Sequence, residues 1–117
     1  MTQRQADEGL AIVTTTPIEG RVVLSLRGDL DVATVDLLKA EAQPLVEAGR
    51  RIVLDVAGVS FCDSAGLGGI ITLFREADAV DATLALAAPD ARLSELLRIT
   101  GLDGVVPVTT TVDEALQ

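Results

Sequence analysis

Along the 117 residues, the spacing of apolar positions changes several times, and each change marks a predicted element. Leu10, Ile12 and Thr14 alternate with Ala11 and Val13, which predicts a strand near 10–15. Pro17 and Gly20 mark a turn. Val22, Leu24 and Leu26 then alternate with Val23 and Ser25 in a second strand near 21–27. Strands with so short a link predict an antiparallel hairpin, its outer strand at a sheet edge. The period next becomes helical. Val35, Leu38, Ala42, Leu45 and Val46 predict a helix over about 34–48, kinked or broken at Pro44 and stopped at Gly49.

The run RIVLDV, 51–56, is nearly continuous in apolar residues, as a buried parallel strand requires. A second helix is predicted from Ser64 to about Ala79, then a buried strand TLALA over 83–87. Pro89 and Asp90 open a third helix over roughly 91–100, with Gly101 as its stop. A weaker strand at 105–108 and a short helix at about 112–116 complete the order ββαβαβαβα. That order predicts one α/β domain over 10–117. Its mixed, mostly parallel sheet has four or five strands, an N-terminal antiparallel hairpin and about four helices. The polar segment MTQRQADEG predicts a flexible tail over 1–9.

Composition narrows the chemistry. Hydrophobic residues make up 49% of the chain, but Phe61 and Phe74 are its only aromatics, so the predicted core is aliphatic. A formal net charge of −9 and the lack of stacking residues argue against nucleic acid and favour a basic protein surface as partner. One cysteine cannot form an internal disulfide, which predicts a reducing compartment. With no signal-like N-terminal pattern and no apolar run of about 18–20 residues, the expectation is a cytoplasmic protein off the membrane. The absence of histidine excludes a Ser-His-Asp triad and zinc sites built on Cys and His. No cofactor is expected. GLGGII lacks the third glycine of a dinucleotide loop and the lysine of a phosphate loop. Asp29 and Asp31 could share a metal only across a turn, and read more simply as solvated or capping residues. Cys62 reads as a small buried residue.

Sites in open α/β sheets gather beyond the carboxyl ends of parallel strands. Two such ends stand out: GDLD, 28–31, and GVSFCDS, 58–64. If one crossover joins their strands, Asp31 and Ser64 become neighbours. Ser64 reads as either a helix N-cap or a functional hydroxyl, and Asp63 competes for the cap. On a helical wheel Leu67, Ile70, Ile71 and Phe74 face the core. Ala65, Gly68, Gly69, Thr72 and Glu76 lie opposite, so the first two turns present almost no side chains. Glycine in a helix costs about 1 kcal/mol against alanine, so Gly66, Gly68 and Gly69 need a reason. They either let another protein lie close to the backbone or let the helix pack tightly on a neighbour within the domain.

Three segments together carry a family resemblance: LRGDLD, IVLDVAGVSFCDSAGLG and LRITGLDGVVPV. The chain resembles a STAS domain over about 10–116, in particular the bacterial anti-sigma factor antagonists. The resemblance implies a regulatory binding protein rather than an enzyme. Its partners would be an anti-sigma factor that is also a serine kinase, and a separate phosphatase. The unmodified antagonist would bind the anti-sigma factor and free a sigma factor. Phosphorylation of the serine after the motif aspartate, here Ser64, would end that contact. The same match implies that Asp31 belongs to the contact surface beside the serine; with the small-residue start of the helix, the expected partner-binding surface is Asp31, Asp63, Ala65, Gly66, Leu67, Gly68, Gly69 and Thr72. Ala65 departs from the many members with a second serine or threonine there. The alternative role for the same surface is an unphosphorylated adaptor in a lipid-transport or stress-signalling assembly.

Overall fold

The computed structural model describes residues 9–117, and the backbone of residues 2–5. Among the described residues, six strands lie in sequence order, β1-β2-β3-β4-β5-β6. They are β1 (Thr2–Gln5), β2 (Leu10–Ile18), β3 (Arg21–Leu30), β4 (Arg51–Cys62), β5 (Thr83–Ala87) and β6 (Val108–Thr109). The helices are α1 (Val35–Glu47), α2 (Ser64–Ala79), α3 (Ala91–Thr100) and α4 (Val112–Leu116), with a 3-10 turn at Leu102–Gly104. Strands β1–β3 are antiparallel neighbours, and β3 to β6 are parallel.

The expected hairpin and parallel core are both present, with one added strand. The segment read as a flexible tail contains β1, whose backbone runs antiparallel to β2 with Thr2 opposite Thr14. The hairpin's outer strand is thus covered rather than a free edge. Residues 1 and 6–8 of the predicted tail lie outside the described residues. The last strand is shorter than expected, because the 3-10 turn at Leu102–Gly104 precedes it and Leu102 and Val106 are buried in the core. Helix α1 runs through Pro44 as one element. Pro44 and Ala40 are both exposed, so the carbonyl that loses its helical donor belongs to a solvent-facing turn.

The core forms because alternate strand residues meet three helices. Val22, Leu24 and Leu26 on β3, Ile52, Leu54 and Val56 on β4, and Leu84 and Leu86 on β5 point to one face. There they meet Leu38, Ala42 and Val46 of α1, Leu67, Ile70 and Leu73 of α2, and Leu93 and Leu97 of α3. The opposite face holds a smaller cluster of Val23, Val53 and Ala87 under Val112, Ala115 and Leu116 of α4.

The face of α2 is rotated from the one predicted. Its buried residues are Gly66, Leu67, Gly69, Ile70, Leu73 and Ala77, while Ile71 and Phe74 are half-buried. Gln43 of α1 donates to Glu76 at 3.3 Å, so Glu76 also faces its neighbour helix. The cause is close packing. A Cβ at Gly66 would stand 2.3 Å from the Leu30 carbonyl oxygen, and one at Gly69 2.3 Å from a Val35 methyl. A Cβ at Gly68 would meet nothing within 4 Å. Two of the three glycines therefore serve tight packing inside the domain, and Gly66, Leu67 and Gly69 do not belong to an exposed surface as expected.

This division predicts opposite mutational signs on one helix. Gly68→Ala will stabilise by about 0.5–1 kcal/mol, because alanine favours the helix without meeting a neighbour. Gly66→Ala will destabilise by about 1–3 kcal/mol, the usual cost of overpacking, because rigid backbone blocks its methyl. Urea unfolding midpoints of the two variants check both signs; equal effects would show that the close approach at Gly66 carries no weight.

Candidate functional site

Strands β3 and β4 end together. Leu30 and Cys62 are parallel register partners, so Asp31 and Asp63 leave the sheet side by side. The Asp63 amide donates to the Leu30 carbonyl, extending the pairing by one step. This places Asp31 beside the start of α2, as the crossover argument predicts.

Asp63, not Ser64, is the N-cap of α2. Its Oδ1 accepts from the Gly66 amide at 2.9 Å, satisfying one of the helix's free donors. Its Oδ2 accepts from the Val32 amide at 3.3 Å, so the same carboxylate ties α2 to the loop before α1. Asp31 is held on the other side of that loop. Its Oδ1 accepts from the Ala33 amide at 2.9 Å. Thr34, 1% exposed, donates its hydroxyl to the Asp29 carbonyl at 2.8 Å and accepts from the Asp31 amide at 3.0 Å. The Asp31 carboxylate thus shapes a turn rather than capping a helix, since the N-cap of α1 is Thr34 and no side chain caps it. Among the described residues, no group of three or more Cys, Asp or Glu side chains is placed to hold a metal ion.

With the cap supplied by Asp63, Ser64 is exposed at the first position of α2. Among the described residues, nothing hydrogen-bonds its hydroxyl. Ala65 and Gly68 are half-exposed beside it, and Thr72 is exposed two turns on. Two large apolar side chains are exposed in the segments that lead into α1 and α2. Val32, whose amide reaches Asp63, is 75% exposed, and Phe61 is 52% exposed. Phe61 also borders a groove of about 250 Å³ between the end of β4 and α3, lined by Val59, Leu93, Leu96 and Ile99. Sequence reasoning did not single out Val32, Phe61 or Ile99. Their signal was present, as large apolar residues off the periodic stripes. The surface combines an unengaged hydroxyl, fixed carboxylates and exposed apolar groups, which suits protein docking.

The family model for the STAS domain matches residues 11–115. The chain belongs to the STAS domain family. Relatives of this STAS domain include the anti-sigma-B factor antagonist of Bacillus subtilis, 27% identical over 85% of this chain and 91% of the relative. A crystal structure of an anti-sigma factor antagonist from Mycobacterium paratuberculosis matches with a TM-score of 0.83, covering 97% of this chain and 96% of that one at 23% identity. SpoIIAA, a Bacillus cell fate determinant, matches in two forms, both 25% identical over 90% of this chain. The phosphorylated form gives a TM-score of 0.70 with 96% of that chain covered; the unphosphorylated form gives 0.75 with 92% covered.

The cysteine in this STAS domain's site is chemically quiet. Burial, and then the charges of Asp63 and Asp31, push the Cys62 thiol up to about 11. At neutral pH it therefore stays protonated and weakly nucleophilic. The unfolded chain ionises near the ordinary thiol value, before the folded chain does. The contribution to stability is present below that value and declines as pH rises toward 11. Alkylation of native protein by iodoacetamide will be far slower at pH 8 than that of urea-unfolded protein, with the native rate climbing only above pH 9. Equal rates in the two states at pH 8 would contradict this account.

Proposed function

We propose that this STAS domain is an anti-sigma factor antagonist that docks an anti-sigma factor serine kinase through the surface around Ser64. Phosphorylation of Ser64 by that kinase ends the contact, and a separate serine phosphatase restores it. The role is binding rather than catalysis. The observation that carries the reading is the free hydroxyl of Ser64, exposed at the start of α2 while Asp63 takes the cap. The names of the relatives support the partner class, and the phosphorylated form of SpoIIAA supports the chemistry.

The electrostatics explain why one phosphate could act as a switch. Phosphoserine carries about −1.5 to −2 charges at neutral pH. In the free protein, the first-turn amides and helix dipole at the start of α2 tolerate that charge, and water solvates it. In a complex the phosphate would be stripped of water beside Asp63 and Asp31, on a chain already at −9. Repulsion and desolvation then fall on the complex, while Val32, Phe61 and the groove that Phe61 borders remain the apolar part of the contact. Gly68, open where Gly66 and Gly69 are closed, lets the kinase approach the α2 backbone.

Intact mass after incubation with ATP and lysate of the source cell tests this reading. The native protein will gain a phosphate and Ser64→Ala will not. Gly68→Arg will fold, yet lose both kinase binding and modification. A native protein that stays unmodified while it binds its partner would identify an adaptor instead. A Gly68→Arg variant phosphorylated at the normal rate would remove this face of α2 from the docking surface.

A further inference from the structure

The sheet face opposite α1–α3 is covered by the five-residue α4. Parallel sheets are normally covered on both faces. Toward the starts of the strands this cover runs out, leaving a cavity of about 330 Å³. Arg21, Arg51, Thr83 and Ala85 line it from the sheet, Ala115 and Leu116 from α4, and Gln117 just beyond α4. It opens at the opposite end of the strands from Ser64.

Arg21 and Arg51 are register partners on parallel β3 and β4, so their side chains leave the same face next to each other. Thr83 follows Arg51 in register on β5. Like charges on facing strand positions destabilise a sheet. A nearby carboxylate would relieve the repulsion, and the chain has 18 acidic residues against 9 basic ones. Yet among the described residues neither guanidinium has a carboxylate within ion-pair distance. Glu19, Glu47 and Asp81 lie in or beside turns at this end without reaching them. Asp55 shares the face further along β4, but is engaged with the Ser25 hydroxyl and the Ala57 amide.

We propose that Arg21 and Arg51 form a binding site for a small organic anion, with a carboxylate or phosphate monoester head and a short aliphatic body. Guanidinium forks match the planar oxygen pairs of such heads and hold them with paired, charge-assisted hydrogen bonds. Thr83 adds a neutral hydroxyl to the lining. Val53, Ala85, Ala115 and Leu116 give the body an apolar wall. Polar groups on one side and an apolar wall on the other suit an amphipathic small molecule, in a cavity at the lower end of the usual size of roughly 300–1,000 Å³. The anion replaces the missing carboxylate and so stabilises the folded chain.

Amide NMR titrations of the full chain with butyl phosphate, butyrate and inorganic phosphate, at physiological salt, test the site. The amides of Arg21, Arg51, Thr83 and Leu116 will shift saturably with butyl phosphate or butyrate, at half-saturation of about a millimolar or below. The better of the two heads identifies the class, and inorganic phosphate will bind more weakly because it lacks the body. Arg51→Gln will weaken binding about tenfold or more through loss of one fork. It will also match or exceed the native protein in thermal stability without ligand, and lose the ligand-induced rise in Tm. Shifts that grow linearly without saturation, or that are the same in Arg51→Gln, would overturn the proposal.

Discussion

The Asp63 carboxylate is the joint on which the candidate site depends. One oxygen caps α2 at Gly66 and the other holds the Val32 amide, so two loops and a helix start are fixed by a single side chain. The joint closes only because Gly66 lacks a Cβ. Any side chain there would collide with the Leu30 carbonyl, which itself accepts the Asp63 amide. Sheet register brings β3 and β4 to a common end, the glycine allows α2 to leave that end at close quarters, and the aspartate caps it. Ser64 is relieved of structural duty by this arrangement, and its hydroxyl stays exposed.

The same joint separates the packing of α2 from its exposed start. The groups that would feel a phosphate on Ser64 are surface groups: Asp31, Asp63, and the solvent around Val32 and Phe61. The packing that holds α2 runs along its other side, through Gly66, Gly69, Ile70, Leu73 and Ala77. A charge added at the exposed start of the helix therefore acts on what docks there more than on what packs beneath it.

Much of this was legible in the sequence because the strands are strongly patterned. Alternation at 22–26 and the run at 51–56 marked the central strands, and their shared end predicted Asp31 beside Ser64 at the start of α2. The glycines were harder. Their pattern on a wheel is symmetric between an open surface and a close contact, and only the neighbours decide. Leu30 and Val35 close off Gly66 and Gly69, and nothing closes off Gly68. Leu73 was missing from the predicted stripe for the same reason, since the small residues turned α2 toward α1. The strand at Thr2–Gln5 was hidden because its residues are polar and carry no apolar alternation. Pro44 looked like a break because the sequence does not show that its turn faces water.

The central claim is that a phosphate on Ser64 changes binding through local charge while the fold stays as it is. The most direct measurement is a comparison of amide NMR spectra of the unmodified and Ser64-phosphorylated protein, with partner affinity measured on the same samples. The account predicts shifts confined to the β3–α1 loop, the end of β4 and the first turns of α2, together with a large loss of affinity. Shifts spread through β2, β5 and α3, or unchanged affinity, would contradict it.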